Sequence, residues 1–92
     1  MTEAQIVQRI LRALNRDRQV RATKVHGGPN QTTMLDIVVC AYGRYIELEV
    51  KRPGKERTLT ERQKLRMQRV AEAGGRTALV TSVPQALEVV YE

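Results

Sequence analysis

Two β-strands joined by a tight turn are predicted by residues 34–54, whose sequence is MLDIVVCAYGRYIELEVKRPG. Apolar and β-branched residues fill both strands, and Tyr42-Gly43 between them is the predicted turn. The charged residues Asp36, Glu49 and Lys51 interrupt this apolar pattern. A carboxylate inside a sheet is strongly disfavoured unless a cation or hydrogen bonds compensate its charge. We therefore expect a positive group to lie between Asp36 and Glu49.

The register of this hairpin determines whether the two carboxylates meet. A two-residue turn at Tyr42-Gly43, continued along both strands, places Asp36 directly opposite Glu49, with Cβ atoms about 4.5 to 5.5 Å apart. The two-residue period of a strand puts Glu47 and Lys51 on the same face as Glu49. A slip of one residue would separate the carboxylates, so this geometry depends on the turn.

Facing carboxylates repel each other, and a hard divalent cation with oxygen ligands is the usual remedy. Mg²⁺ suits such a pair because it keeps several waters for chemistry. Lys51 would then neutralise phosphate charge or orient the attacking water. The alternative is a surface pair, Asp36 or Glu49 with Lys51, on a solvated sheet face. The spacing alone leaves both readings open.

The rest of the chain predicts a single α+β domain over residues 1–92, with a mixed sheet flanked by helices and a short C-terminal helix. The predicted elements are a helix at 2–15, strands at 20–25, 33–40 and 45–51, a helix from Thr60 to the Gly74-Gly75 stop, a strand at 77–81, and a helix from Ser82. Capping-box spacing predicts the first two helix starts. The inner stripe of the second helix is predicted to be Gln63, Met67, Val70 and Ala71.

Charge and composition narrow the class of partner. Sixteen Lys and Arg against ten Asp and Glu give a formal charge of +6, which favours a polyanion over a merely solvated basic surface. With 92 residues the core is thin, so a homodimer is expected to supplement it. The absence of Trp and Phe makes single-strand binding on an aromatic platform improbable.

The composition also indicates the cellular compartment and excludes some disulfide and metal sites. The only cysteine, Cys40, excludes an internal disulfide and is expected to be a sheet-packing thiol. No apolar stretch approaches the roughly 20 residues that cross a bilayer, and no signal-like segment opens the chain, so we expect a cytoplasmic protein without membrane contact. His26 with Gly27-Gly28-Pro29 lacks the phosphate-loop pattern and predicts a turn. One His and one Cys cannot form a structural zinc site.

Several motifs together resemble the VRR-NUC domain, a branch of the PD-(D/E)XK nuclease superfamily. They are Asp36, Glu49-Val50-Lys51-Arg52-Pro53-Gly54, Leu59-Thr60-Glu61-Arg62-Gln63 and Ala73-Gly74-Gly75. The resemblance spans most of the chain and implies the restriction-endonuclease-like fold with an αβββαβ core. It also implies an endodeoxyribonuclease that hydrolyses phosphodiester bonds with Mg²⁺, or Mn²⁺ as a substitute.

The resemblance assigns roles to residues of this sequence. Asp36 and Glu49 are implied as metal ligands, with the Val50 main-chain carbonyl as a third, and Lys51 as the catalytic lysine. Gln63 matches a glutamine of the family's second helix, although it could instead serve only as a helix cap.

Two further positions complete the comparison with the family. Glu3 matches an acidic residue near the start of the first helix in many relatives and is the weakest candidate ligand, because it could merely favour the helix dipole. The family usually has Pro before the first Asp, whereas Leu35 stands here. The local entry to the strand is therefore expected to differ while the ligand is retained.

Glu47 is a second acid on the face of Glu49. Only Glu49 has a lysine two residues later, so Glu47 is expected to pair with Arg44 or Lys24, or to tune a metal from beyond its ligands.

Stand-alone VRR-NUC proteins of this size resemble phage and bacterial enzymes that act as homodimers on branched DNA, including four-way (Holliday) junctions. The resemblance therefore implies a structure-specific endonuclease that needs no nucleotide cofactor. Two alternatives stay open, a non-catalytic basic nucleic-acid-binding module and a nuclease subunit that needs a partner protein. Arg66 could equally lie on a solvated helix face. The expected DNA contacts are Arg52, Lys55, Arg57, Arg62 and Arg66.

Overall fold

A four-stranded mixed sheet carries helices on both of its faces. The computed structural model describes residues 1–26 and 34–92. The helices are α1 (Glu3–Leu14), α2 (Glu61–Glu72) and α3 (Val83–Tyr91), the strands are β1 (Val20–Lys24), β2 (Ile37–Ala41), β3 (Arg44–Val50) and β4 (Arg76–Val80), and a single 3₁₀ turn covers Glu56–Thr58. The predicted α+β class and element order are confirmed. The predicted turn at 27–30 and the predicted beginning of the second strand at 33 lie outside the described residues.

The strands lie in the order β1-β2-β3-β4, and the register agrees with the prediction from the turn. β1, β2 and β3 pair antiparallel, whereas β3 and β4 are parallel and connected through α2. Ala41 lies opposite Arg44, and Ile37 opposite Leu48. Tyr42 and Gly43 both have positive φ, 53° and 77°, as a two-residue hairpin turn requires. The turn therefore fixes which side chains of β2 and β3 share a face.

The hydrophobic core lies between the sheet and the pair α1 and α3. Every second residue of β3 points into it, so that Ile46, Leu48 and Val50 are fully buried. The helices contribute an apolar stripe each, which consists of Ile6, Val7, Ile10 and Leu14 from α1 and Ala86 and Val90 from α3. In the described part of the chain, no helix is long and apolar enough to cross a membrane.

Side-chain caps set the beginning of each helix. In α1 the Thr2 hydroxyl accepts from the Gln5 N–H while the Gln5 side chain accepts from the Thr2 N–H, and Thr60 and Gln63 repeat this arrangement in α2. Both capping boxes predicted from the sequence are confirmed. Ser82 caps α3 by accepting from the backbone of Gln85.

Helix α2 covers the opposite face of the sheet, over β3 and β4, and its contact is less apolar than predicted. Only Val70 of this helix is buried, Gln63 and Met67 are partly buried, and Ala71 is exposed. The prediction that Ala71 belongs to the inner stripe was wrong, because charged side chains of β3 occupy most of the face beneath α2. Cys40 lies on that same face of the sheet and is exposed, which corrects its prediction as a sheet-packing thiol.

Gly75 allows the end of α2 to approach β3 closely, so we expect Gly75→Ala to destabilise the fold. A Cβ atom there would lie 2.9 Å from Val70 Cγ1 and 3.3 Å from the Tyr45 carbonyl oxygen, and the backbone atom cannot turn aside. Urea unfolding should show a loss of about 1 to 3 kcal/mol, as for overpacked cores. The exposed control Gln68→Ala should stay within about 0.5 kcal/mol. An unchanged midpoint for Gly75→Ala would contradict the close packing.

Candidate metal centre

The carboxylates of Asp36 and Glu49 meet where β2 begins and β3 ends. Asp36 directly precedes β2, and its Oδ2 accepts a hydrogen bond of 2.8 Å from the Val50 N–H. Glu49 is 3% exposed. The face that the sequence predicted to carry Glu47, Glu49 and Lys51 together does so, and with exposures of 0%, 3% and 9% it is buried under α2 rather than solvated. A surface cross-strand pair is therefore excluded as the description of this site.

Lys51 supplies the positive charge next to Glu49. Its Nζ lies 3.5 Å from Glu49 Oε2, and both side chains are almost completely buried. The Lys51 N–H donates a hydrogen bond of 3.1 Å to the Val80 carbonyl, which fixes the backbone at this position. Since β3 and β4 run parallel here, Lys51 emerges at the carboxyl ends of both strands.

Gln63 holds Glu49 from α2 and caps that helix at the same time. Its Nε2 donates to Glu49 Oε2 at 2.8 Å, while its Oε1 accepts from the Thr60 N–H at 2.9 Å. Capping of α2 and contact with Glu49 do not exclude each other, because an amide has a separate donor and acceptor. The capping box thereby sets the position of a side chain that contacts the site.

The negative charge at Glu49 is only partly balanced. Burial raises the pKa of Glu49, the neighbouring Asp36 carboxylate raises it further, and Lys51 opposes both, so that the pKa rises from 4.5 to about 7. Two adjacent carboxylates with one lysine leave room for one more positive charge. Either a proton or a cation can supply it.

The negative charge of Glu47, two residues earlier on β3, is balanced by an arginine and by hydrogen bonds. It accepts from Arg66 Nε at 3.0 Å and Arg66 Nη2 at 2.5 Å, from the Tyr45 hydroxyl, and from the Leu35 N–H at 3.1 Å. The prediction that Glu47 pairs with Arg44 or Lys24 was wrong, since α2 brings Arg66 across this face of the sheet. Arg44 donates to the Val90 carbonyl at the end of α3.

These contacts shift the pKa values of the two glutamates in opposite directions. Burial alone would raise the pKa of Glu47, but hydrogen bonds from Arg66, Tyr45 and the Leu35 N–H outweigh it and hold that pKa below its ordinary value. The Glu47 carboxylate raises the pKa of Arg66 in return. Glu47 is therefore a fixed anion, whereas Glu49 is the carboxylate whose charge state responds to its surroundings.

Leu35 takes part in this arrangement through its backbone. The N–H that donates to Glu47 would be missing if proline stood at this position, as it usually does in the family that the sequence resembles. Leu35 itself is 2% exposed. Glu47 thus anchors the residue immediately before Asp36. This hydrogen bond is possible because the residue there is Leu35 and not proline.

The donor set suits magnesium better than a metal that needs many protein ligands. Among residues 1–26 and 34–92, no three His, Cys, Asp or Glu side chains come together. Mg²⁺ is usually held by one or two carboxylates and keeps several waters, so Asp36 and Glu49, with the Val50 main-chain carbonyl, fit it. Glu3 is exposed in the first turn of α1, where an acid favours the helix dipole.

The basic residues predicted to contact DNA divide into two kinds. Arg52, Lys55, Arg57 and Arg62 are exposed. Arg66 is committed to Glu47, and its side chain is 25% exposed. It lines a cavity of about 280 Å³ together with Arg62, Leu65 and Arg69.

The sequence reasoning missed Arg66 as the partner of Glu47, yet a signal for it was present. Gln63 and Arg66 lie three residues apart on one face of α2, and Glu49 and Glu47 lie two apart on one face of β3. Three residues of a helix advance about 4.5 Å, which is comparable with the advance of about 6.6 Å over two residues of a strand. A helix running antiparallel to β3 therefore brings both pairs into contact.

Comparison with known proteins finds no match to this chain. No family model matches the chain, and neither curated proteins nor solved structures give a significant match. The resemblance to the VRR-NUC domain stays a prediction that depends on the residues themselves.

The raised pKa of Glu49 predicts how stability depends on pH without metal. In the folded state the proton is held up to about pH 7, whereas the unfolded chain releases it near 4.5. The contribution to stability is therefore fully present below pH 4.5 and lost as pH rises through 7. Urea unfolding in EDTA should show wild type losing about 2 to 3 kcal/mol relative to Glu49→Gln across this window. Parallel pH profiles for the two proteins would contradict the account of Glu49.

Removal of Arg66 should be much more costly than removal of a neighbouring lysine. Arg66→Met leaves the buried Glu47 carboxylate unpaired, for which we expect a loss of about 3 to 5 kcal/mol in the free energy of unfolding. Lys64→Met, on the same helix, breaks an exposed 3.2 Å pair with Glu61 and should cost less than about 1 kcal/mol. Equal losses in chemical denaturation would show that Glu47 is not held as described.

Proposed function

We propose that this chain is a metal-dependent DNA endonuclease that hydrolyses phosphodiester bonds in branched DNA, such as four-way junctions. The observation that carries the proposal is the buried Glu49 carboxylate beside Asp36, with Lys51 Nζ at 3.5 Å from it. Such a group of two acids and a lysine is costly to bury, and a phosphodiester site uses all three. The resemblance of the surrounding motifs to VRR-NUC nucleases supports the same activity.

Each residue of the site has a separate role in the proposed hydrolysis. Asp36, Glu49 and the Val50 carbonyl would hold Mg²⁺ or Mn²⁺, which when bound polarises phosphate oxygens and lowers the pKa of water. Lys51 balances the negative charge of the phosphate or orients the attacking water. Gln63 keeps Glu49 in place through its 2.8 Å hydrogen bond, and Glu47 keeps the segment before Asp36 in place.

The substrate is recognised through its backbone in this proposal. The chain carries a net charge of +6, and its exposed basic side chains Arg52, Lys55, Arg57 and Arg62 lie in the loop after Lys51 and at the beginning of α2. Phosphate contacts of this kind bind without reading bases. A homodimer would place two such sites on two strands of a junction. We expect the protein to act in the cytoplasm of a bacterial or phage-infected cell.

Cleavage of a labelled four-way junction tests the activity. Wild type with Mg²⁺ or Mn²⁺ should cut it, and Lys51→Ala should cut about 10²- to 10³-fold more slowly, because a preorganised positive charge is lost from the transition state. Lys64→Ala, whose lysine is exposed on α2, is the control and should cut at the wild-type rate.

Two outcomes would assign the chain to another class. Binding by wild type without cleavage of any tested DNA in either metal would identify a non-catalytic nucleic-acid-binding module. Cleavage that begins only when a second protein is added would identify a nuclease subunit. Measurement of the mass in solution beside these assays checks the proposed dimer.

A further inference from the structure

Three exposed arginines form a row along α1 and just beyond its end. Arg9 and Arg12 lie in α1, Arg16 lies two residues after the helix ends, and all three line one cavity. The buried stripe of α1, which includes Ile10 and Leu14, faces the sheet on the other side. We call Arg9, Arg12 and Arg16 the α1 arginine row.

The charge of this row is not balanced by carboxylates. In the described ranges the ion pairs are those of Lys51, Lys64 and Arg66, so none involves the row. Glu3, the acidic residue of α1, lies six positions before Arg9 and therefore on a different side of the helix. Residues 27–33 contain no Asp or Glu in their sequence. Uncompensated arginines at this spacing suit a chain of phosphates.

An apolar cavity opens at the beginning of the row. Its volume is about 300 Å³, and its lining includes Ile6, Arg9, Pro53, Val83 and Pro84. Pro53 follows Lys51 by two residues, so the cavity lies at the same end of the sheet as the candidate metal centre, but on the face that α1 and α3 cover. We call it the Pro53 cavity.

The row and the cavity are continuous. Arg9 lines the Pro53 cavity, and it also lines a second cavity of about 300 Å³ with Arg12, Arg16 and Val83. Positive charge therefore extends from the Pro53 cavity at Arg9 to Arg16. The loop and α2 residues of the proposed DNA surface are not part of this track.

We propose that the α1 arginine row and the Pro53 cavity bind an unpaired DNA strand, with its phosphates on the row and one base in the cavity. The inference rests on the proposed function, because it names the strand of the branched substrate that leaves the site. A small apolar cavity with a charged rim accepts a single base only when that base is unstacked. Bases in a continuous duplex are stacked and cannot enter it. The contact needs no aromatic platform, since apolar side chains line the cavity. Recognition of an unpaired strand at this position gives the protein a physical means to prefer branched over linear DNA.

Binding measured in EDTA separates this surface from hydrolysis. Fluorescence anisotropy compares a forked DNA that has one unpaired arm with a fully paired duplex of the same length. The triple variant Arg9→Gln, Arg12→Gln, Arg16→Gln should bind the fork at least about tenfold more weakly than wild type. The slope of log affinity against log salt on the fork should fall by about 2, since each single-strand phosphate contact contributes about 0.7.

A charge-matched control distinguishes the row from general electrostatics. Arg18→Gln, Arg21→Gln, Lys24→Gln removes the same charge from exposed residues in and before β1. On the paired duplex, the row variant should lose no more affinity than this control. On the fork, the row variant should lose clearly more.

The variant Pro84→Glu tests the cavity itself. Pro84 is exposed in the first turn of α3, which holds no acidic residue, and an acid there favours the helix dipole, so folding should be retained. The new carboxylate at the cavity should lower fork affinity about tenfold by repelling phosphate near Arg9, without a further loss on the duplex. Thermal unfolding confirms that the variant is folded.

Two binding results would overturn the inference. Equal losses by the row variant on fork and duplex would mean that the row binds a duplex arm, and wild-type affinity of the row variant for the fork would mean that the row is only solvated. These results do not depend on cleavage, so a wild type that binds forks through the row but never cuts would refute the proposed nuclease alone. Conversely, normal cleavage with no effect of the row would refute only this inference.

Discussion

Two glutamates on one strand, Glu47 and Glu49, are buried on the same face of the sheet, and the protein must balance both charges there. Removal of a carboxylate from water costs several kcal/mol unless partners replace the lost hydration. Glu47 receives Arg66, a tyrosine hydroxyl and a backbone N–H, which together make it a stable anion. Glu49 receives Lys51 and Gln63 but also faces Asp36. The difference between these neighbours separates a carboxylate that stays charged from one whose charge state responds to its surroundings.

Helix α2 links the two environments. Through Gln63 it contacts Glu49 and through Arg66 it contacts Glu47, and Val70 is its single buried residue. A change in charge at Glu49 therefore acts on the same helix that Glu47 anchors. Polar contacts of this kind hold side chains in one geometry, which a site for a small cation requires.

Local patterns predicted most of the fold, and long-range packing accounts for what they missed. The turn at Tyr42-Gly43 and the period of a strand were sufficient to place Glu49 near Asp36, because hairpin register is set by neighbouring residues. The partner of Glu47 was not predictable in the same way, since Arg66 reaches it only after α2 crosses the sheet. The contact of Gln63 with Glu49 also depends on long-range packing, because only the docking of α2 on the sheet brings the amide donor to that carboxylate.

We propose that Asp36 and Glu49 form a site for a divalent cation. A crystal structure determined after soaking in millimolar Mn²⁺ tests it most directly, because the anomalous signal of manganese locates the ion independently of the protein atoms. We expect an anomalous peak between the two carboxylates, at ligand distances of about 2 Å, as for hard cations in small oxygen sites. The same crystals with no peak at that position, while Lys51 and Gln63 still contact Glu49, would contradict the account.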